Sequence, residues 1–143
     1  MQIAKYYSSN ENFVTAIKNN KCNTIEVFLK EKKFNLNYRD NIHHRSLLMW
    51  SMQQKNYSLA KKLIELGANV NIVDNFWSIT PLHIAAFDTN IEIVKLLVKK
   101  GHNINPKESK LGLTPLDIAI KKNDRELVQY LIENGAKKSS EIK

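Results

Sequence analysis

A period of 34 residues constrains this chain more than any other feature of its sequence. The segment 80–86, Thr-Pro-Leu-His-Ile-Ala-Ala, recurs in register at 114–120 as Thr-Pro-Leu-Asp-Ile-Ala-Ile, and weaker copies stand at 46–52 and 12–18. A glycine marks the same spacing independently, as Gly67, Gly101 and Gly135. Such a period is typical of repeat proteins, in which each unit buries its apolar face against the next.

Each unit begins with the signals of a short helix. Thr80 carries a hydroxyl that can cap free backbone N–H groups, and Pro81 then occupies the first helical position, where a missing N–H is no loss. His83 stands three residues after the cap, from where a side chain can bond back to it, and Asp117 takes the same position one period later. Ser46 is the corresponding cap of the second unit. We therefore predict a capped helix at the start of each unit.

A second helix follows in each unit, because apolar residues recur there at the i, i+3, i+4 spacing of one buried helical face. The predicted second helices run over 25–31, up to Leu66, over 91–99 and over 124–133. Their expected caps are Asn23 or Thr24 in the first, Asn56 or Ser58 in the second and Asn90 in the third. A glycine can end such a helix in a left-handed turn, as we expect at Gly67. An Asn-x-Asn motif then leaves the unit, at 35–37, 69–71 and 103–105.

The repeats define the expected organisation of the chain. We predict a single domain, residues 1–143, with units at 12–45, 46–79, 80–113 and 114–136. Residues 1–11 have no partner copy and form the expected N-terminal cap, in which Ile3, Tyr6 and Tyr7 cover the apolar edge of the first unit. The polar residues 137–143 are expected to fray.

Composition restricts the possible classes of protein. Hydrophobic residues make up 43% of the chain and charged residues 25%, which are values of a globular domain. No segment approaches the roughly 18 apolar residues of a membrane span, and the first residues lack the apolar stretch of a signal peptide. Cys22 is the single cysteine, so neither an internal disulfide nor a thiolate metal cage can form. We expect a cytoplasmic protein with no membrane partner that is a monomer when free.

The net charge of +8 suits an acidic partner. A nucleic acid is a second possibility, through the Lys-rich surface. However, only three of the 22 basic residues are arginines, at positions 39, 45 and 125. Recognition of bases and phosphates favours the planar guanidinium fork, so the composition favours a protein partner over a nucleic acid.

No catalytic or metal-binding pattern is present in the sequence. His43 and His44 are adjacent on a loop, where two side chains cannot easily face one metal, and no cysteine or carboxylate pair stands at ligand spacing. There is no glycine-rich phosphate loop, no His-Glu-x-x-His and no Gly-x-Ser-x-Gly. We therefore predict no catalytic residue, no metal site and no cofactor, and a chain that is not an enzyme.

The segment 80–86, followed by 91–97 and 101–105, resembles the ankyrin repeat, and the four copies span residues 12–136. The resemblance implies an all-α solenoid of about four helix-turn-helix units with projecting hairpin-like loops. Each unit here has 34 residues, one more than the 33 of the family, and the extra residue falls in the loop. Gly112 matches the loop glycine of the family, whereas His44 and Ser78 do not. We therefore expect those two loops to bend differently.

The resemblance also implies where a partner protein binds, because ankyrin repeats use a concave face made of loop tips and of residues just after the first helix's Ala-Ala position. The predicted partner-binding residues are Ile42, His43, Arg45, Gln53, Phe76, Trp77, Ile79, Phe87, Lys110, Leu111, Leu113 and Lys121. Apolar anchors among them are Phe76, Trp77 and Phe87, whereas Arg45, Lys110 and Lys121 would steer the chain toward an acidic patch. Two alternatives remain open here: Trp77 or Ile79 can instead fold down over the longer loop.

These features together predict a non-enzymatic protein-protein interaction module. A chain that is only a binding surface can act by occlusion, as an inhibitor does. An immunity or antitoxin-type inhibitor of a toxin, and a microbial or viral effector that captures a host protein, are both compatible with this pattern. Trp50 aligns with Ile84 and Ile118 and is predicted to lie in the core.

Overall fold

A computed structural model of the chain describes residues 9–32, 34–101 and 103–143. The α-helices of these residues are α1 (Ser9–Lys18), α2 (Cys22–Glu31), α3 (Leu47–Gln53), α4 (Tyr57–Glu65), α5 (Pro81–Phe87), α6 (Ile91–Lys99), α7 (Pro115–Lys121) and α8 (Arg125–Glu133). A 3-10 helix, Ser139–Glu141, follows them. Within the described residues, the only β pairing is an isolated antiparallel bridge between Arg39 and Ser46. The predicted cap residues Ile3, Tyr6 and Tyr7 lie outside the described residues.

The described residues form two compact units: the first unit ends at Asn69, and the second unit runs from Val70 to Lys143. Below, unit refers to one of these two, and repeat refers to one 34-residue copy. In the first unit, α1 packs against α2 and α3, and α3 packs against α4. In the second unit, α5 packs against α6 and α7, and α7 packs against α8. Each unit therefore contains two adjacent helical pairs, as the period predicts.

Residues that repeat with the period form the core of each unit. In the second unit these are Leu82 and Leu116 from the first helices, and Ile93, Leu97, Leu127 and Leu131 from the second helices, all of them buried. Burial of each such side chain stabilises the fold by roughly 1.5–3 kcal/mol. Trp50 is also buried, which confirms its predicted place in the core.

Side-chain caps begin most helices where the sequence predicts them. The oxygens of Ser46, Asn56 and Asn90 accept the backbone N–H three residues further on. The prediction for α2 is wrong, because this helix begins at Cys22 with Lys21 as an uncapped N-cap residue. The reason lies in the preceding turn, where the Lys21 N–H bonds to the carbonyl of Ala16 at 2.8 Å and starts α2 before Asn23 is reached.

The described part of α1 is also longer than the predicted one. It begins at Ser9, three residues before the expected start at Asn12. Residues 9–11 of the expected cap are therefore helical. Within this stretch, the Asn10 side chain accepts a bond from the N–H of Asn35, at 2.8 Å.

The Asn-x-Asn motif joins consecutive repeats. In the first unit, Oδ1 of Asn37 accepts the backbone N–H of Asn69 at 2.8 Å. In the second unit, Asn71 accepts from Asn103 at 2.9 Å, and Asn105 accepts from Lys137 at 2.7 Å. The last asparagine of each motif thus bonds to the chain 32 residues later and holds neighbouring repeats in register.

The C-terminal residues 137–143, expected to fray, bond instead to the last repeat. The N–H of Ser139 donates to Asp117 at 2.9 Å, and the hydroxyl of Thr114 donates to the carbonyl of Lys137 at 2.8 Å. Burial alone would raise the pKa of Asp117, but the N–H of Thr114 and the N–H of Ser139 both donate to its carboxylate and lower that pKa. The tail therefore supplies partners for a capping carboxylate.

His83 links the start of α5 to the loop that ends the same repeat. Its Nδ1 lies 3.1 Å from the backbone nitrogen of Thr80 and accepts that N–H, which requires the neutral ring. Its Nε2 lies 3.1 Å from the carbonyl oxygen of Leu113, the last residue of the repeat, and donates to it. Burial of the ring is the main reason that the pKa of His83 is lowered from 6.5. The predicted capping box at Thr80 is confirmed.

This geometry predicts that the protein loses stability as the pH falls from about 7.5 to about 5. The unfolded chain takes up a proton on His83 near its ordinary pKa of 6.5, whereas the folded chain resists protonation, so protons favour unfolding in this window. The matched variant is His83→Asp, which copies the Thr114–Asp117 pair. It should lose about 1 kcal/mol at the higher pH and show a weaker pH dependence between the two values. Urea unfolding measures both, and equal wild-type stability at the two pH values would contradict the assignment.

Candidate protein-binding surface

Three loops of the described chain form the same narrow hairpin. In each, the backbone N–H of an acidic residue bonds to the carbonyl five residues later: Asp40 to Arg45, Asp74 to Ile79 and Glu108 to Leu113, at 3.0, 3.1 and 3.0 Å. Asp40 lies in the first unit, and the other two lie in the second. These loops carry most of the predicted partner-binding residues.

The acidic side chain at the base of each loop is buried and accepts backbone N–H groups. Asp74 accepts those of Trp77 and Ile79 through one oxygen, at 3.0 and 3.1 Å. Glu108 uses both oxygens, since one accepts from Lys110 at 2.8 Å and the other from Leu111 and Leu113 at 2.8 and 2.9 Å. Burial alone would raise the pKa of Glu108, but these donors hold it below its usual value.

The loop tips all bend in the same way, which corrects the expectation that two of them differ. His44, Ser78 and Gly112 occupy equivalent positions, and their φ angles are 52°, 54° and 70°. The acidic side chain imposes this bend by collecting N–H groups from both sides of the tip. Its bonds offset the strain of a left-handed residue with a Cβ, roughly 1–2 kcal/mol.

Trp77 is held by its backbone and remains partly exposed through its side chain. Its N–H donates to Asp74, and its carbonyl accepts the N–H of Ser109 in the next loop at 2.6 Å. The indole is 41% exposed. The ammonium of Lys110 lies 4.9 Å from the centre of its ring. The two loop tips of the second unit are therefore joined at a half-exposed aromatic ring with a cation beside it.

Other apolar side chains of the second unit are also exposed. Phe76 is 56% exposed, Leu111 66% and Phe87, at the end of α5, 60%. The ammonium of Lys122 lies 3.7 Å from the centre of the Phe87 ring. Lys121, beside it, is exposed.

Ile79 and Leu113 are placed differently from the other predicted residues. Both are half-buried, and their N–H and C=O groups close the base of their loops. They contribute to the shape of the loops more than to the exposed surface. This outcome agrees with the alternative in which Ile79 folds down, whereas Trp77 remains partly exposed.

The first unit carries the remaining predicted residues. Ile42 is 69% exposed at a loop tip, and His43 is half-buried beside Asp40. The guanidinium of Arg45 bonds to the side chain of Gln53 and lies 5.5 Å from the centre of the Trp50 ring. Arg45 therefore contacts groups of its own unit.

Trp50 explains why the first loop has different chemistry. Its indole N–H donates to Asp40 at 3.2 Å, and the ammonium of Lys18 lies 4.1 Å from its ring centre. Burial would raise the pKa of Asp40, but bonds from His43, Arg45 and Trp50 lower it. The Trp50 ring on α3 is thus buried beneath Lys18 and Arg45, whereas Trp77 is partly exposed at a loop tip.

Two contacts of the surface were not predicted from the sequence: that of Lys122 with Phe87 and that of Ser109 with Trp77. Lys122 aligns with no distinctive motif, and only its position after Lys121 indicates a cationic patch at the end of α7. The bond from Ser109 to Trp77 depends on the three-dimensional approach of two loops, so no spacing indicates it.

The arrangement suits docking of another molecule more than chemistry. Among the described residues, no cluster of three His, Cys, Asp or Glu side chains could hold a metal ion. None of the helices in the described residues has the length and apolar character that a membrane span requires. The loop carboxylates are buried and already occupied by backbone N–H groups, so they serve structure.

The bonds to the Glu108 carboxylate predict a cost for replacing this acid by its amide. One oxygen accepts from Lys110 and the other from Leu111 and Leu113, so Glu108→Gln places an NH₂ group against at least one donor. Glu108→Gln should therefore lower the free energy of unfolding by about 1–3 kcal/mol. Urea unfolding near neutral pH measures the loss, and an unchanged free energy of unfolding would refute this account of the loop.

Comparison with known protein families agrees with the fold and the loops. The family model described as ankyrin repeats (3 copies) matches residues 48–142, about two-thirds of the chain. Comparison with curated proteins gave no match. The family match, the described helical pairs and the repeated loops establish that this chain belongs to the ankyrin repeat family.

Proposed function

We propose that this chain is a non-catalytic module that binds another protein through the loop tips of its second unit. The observation that carries the proposal is Trp77, whose backbone is fixed on both sides while its indole stays 41% exposed. An ordered aromatic side chain loses little conformational entropy on binding, which is why Trp and Tyr dominate interface hot spots. Phe76, Phe87 and Leu111 supply further apolar contact area.

The partner surface that fits is apolar with acidic groups around it. Lys110 and Lys122 lie over the Trp77 and Phe87 rings, and Lys121 adds a third cation. The two loop carboxylates, Asp74 and Glu108, are buried and bonded to backbone N–H groups. The net charge of +8 also favours an acidic partner, because it accelerates encounter with an acidic patch.

Binding of this kind acts by covering the partner. We propose inhibition by occlusion as the mode of action, which includes an immunity or antitoxin-type role and capture of a host protein by a microbial or viral effector. The preformed loops favour docking without rearrangement. Nucleic-acid binding through the lysines is the competing function, and the test below separates it.

Panning a phage-displayed random peptide library on the immobilised full chain tests the proposal. We expect enriched peptides that combine acidic and apolar residues. The double variant Phe76→Ala/Trp77→Ala should bind them at least about tenfold more weakly, while its melting temperature stays close to that of the wild type. Leu66→Ala is the matched control, since it removes an exposed apolar side chain at the end of α4, and its affinity should change little.

Three outcomes would contradict the proposal. The first is unchanged peptide affinity in the double variant with unchanged stability, which removes the loops from the site. The second is tight binding of single-stranded DNA whose affinity falls steeply between about 50 and about 300 mM salt and does not depend on Trp77, as counterion release predicts. A large loss of stability in the double variant would assign the pair to loop packing.

A further inference from the structure

Asn134 and Gly135 form the one Asn-Gly pair of the sequence. They lie at the end of α8, where Asn134 is the C-cap residue. In the two preceding repeats the same position is occupied by Leu66 and Lys100, each again followed by a glycine. The glycine therefore belongs to the repeat, whereas the asparagine is particular to the fourth repeat.

An asparagine followed by glycine is prone to a reaction with its own backbone. The nitrogen of the next residue can attack the side-chain Cγ, and glycine has no Cβ to obstruct the approach. Both Asn134 and Gly135 are exposed, so water, which completes the reaction, reaches them freely. The pair thus combines an unhindered nucleophile with access to water.

The folded chain engages both reacting groups in hydrogen bonds. The N–H of Gly135 donates to the carbonyl of Ile132 at 3.0 Å, which keeps the proton on the nitrogen that would attack. Nδ2 of Asn134 donates to the carbonyl of Tyr130 at 2.8 Å, which fixes the carboxamide against the helix. Gly135 has a φ of 88°, the left-handed conformation that ends the helix. Attack requires these bonds to break, so the closed end of α8 protects the pair.

A second asparagine ties the chain after α8 to the preceding repeat. Nδ2 of Asn105 donates to the carbonyl of Gly135 at 3.2 Å, and its Oδ1 accepts the N–H of Lys137 at 2.7 Å. The N–H of Ala136 also bonds to the carbonyl of Leu131, at 2.9 Å. The end of α8 can therefore open only when bonds to a neighbouring repeat break as well.

We propose that Asn134 is a deamidation site whose rate is set by opening of the end of α8. In the open chain, the nitrogen of Gly135 bonds to Cγ of Asn134, the Cγ–Nδ2 bond breaks, and ammonia leaves with the proton of that nitrogen. Water then opens the resulting succinimide. Hydrolysis of the bond between this nitrogen and Cγ gives aspartate, and hydrolysis of its bond to the backbone carbonyl carbon gives isoaspartate.

Both products weaken the end of α8. The new carboxylate replaces the group that donates to Tyr130, and it adds a negative charge beside Glu133 at the negative end of the helix dipole. Isoaspartate also adds one carbon to the backbone before Gly135, which displaces the carbonyl that Asn105 binds. The modified chain should therefore have a weaker link between its third and fourth repeats.

Incubation of the full chain in mildly alkaline buffer, with and without denaturing guanidinium chloride, tests the site and its protection. Peptide mapping by mass spectrometry locates each conversion, and chromatography separates isoaspartate from aspartate. In the denaturant we expect conversion at Asn134 before any other asparagine, and in the folded chain conversion at least about tenfold slower. Equal rates would contradict the protection, and no conversion at Asn134 in the denaturant would contradict the site.

Two matched variants test the role of Asn105. Asn105→Ala removes both bonds to the chain after α8 and should accelerate conversion in the folded chain by about threefold or more. Asn71→Ala removes the equivalent bond to Asn103 one repeat earlier and should leave the rate at Asn134 within about twofold of that of the wild type. Equal acceleration by both variants would assign the effect to a general loss of stability and would overturn this role.

Amide exchange tests the consequence of the modification. The deamidated chain, separated by ion exchange through its added charge, should exchange the amides of Ala136 and Lys137 at least about tenfold faster than the unmodified chain. Unchanged exchange would overturn the weakened link. The binding loops take no part in this reaction, so Phe76→Ala/Trp77→Ala should deamidate at the wild-type rate. This proposal and the proposed function can therefore fail independently.

Discussion

The bond between a buried carboxylate and the backbone of its own loop is the interaction on which the binding surface depends. Asp40, Asp74 and Glu108 each collect N–H groups from residues around a tip. A hairpin loop has few apolar contacts of its own, and its exposed N–H groups would otherwise bond to water. Because the acid gathers them, each loop has one conformation, and the side chains at the tip can point outward without losing order.

Order at the tips explains how the chain tolerates exposed aromatic rings. An apolar side chain on a mobile loop would lose conformational entropy on binding and would favour aggregation beforehand. Trp77 avoids both problems, since its backbone is fixed by Asp74 and Ser109 and an ammonium group lies beside its ring. In the first unit, the same cation–aromatic contact occurs at Trp50, but there the ring is buried and Asp40 takes its N–H. A cation beside an indole ring therefore belongs to the packed interior of the first unit, at Trp50, and to the proposed binding surface of the second unit, at Trp77.

Much of the fold could be predicted from the sequence, because its signals are local. The cap at Thr80 and the core position of Trp50 follow from spacing and residue type alone. The start of α2 and the ordered tail could not be predicted, because a turn bond at Lys21 and a distant acceptor at Asp117 determine them. The equal bend of the loops escaped prediction for a similar reason, since local preference favours glycine and the buried acid overrides it at His44 and Ser78. At the candidate site, the exposed rings followed from comparing repeats, whereas the Lys122 contact needed the folded chain.

Amide hydrogen exchange of the free full-length chain, followed by NMR, tests the central claim most directly. If buried carboxylates hold the loops in one conformation, the amides of Trp77, Ile79, Leu111 and Leu113 should exchange far more slowly than an unstructured chain, although they lie in surface loops. The N–H of His44 bonds to the backbone carbonyl of Asp40 and not to a carboxylate. Its exchange rate therefore serves as the comparison, within the same molecule, for a loop amide that no carboxylate holds. Exchange of the four loop amides at the rate of an unstructured chain would show that the tips are not preformed, and would contradict the account.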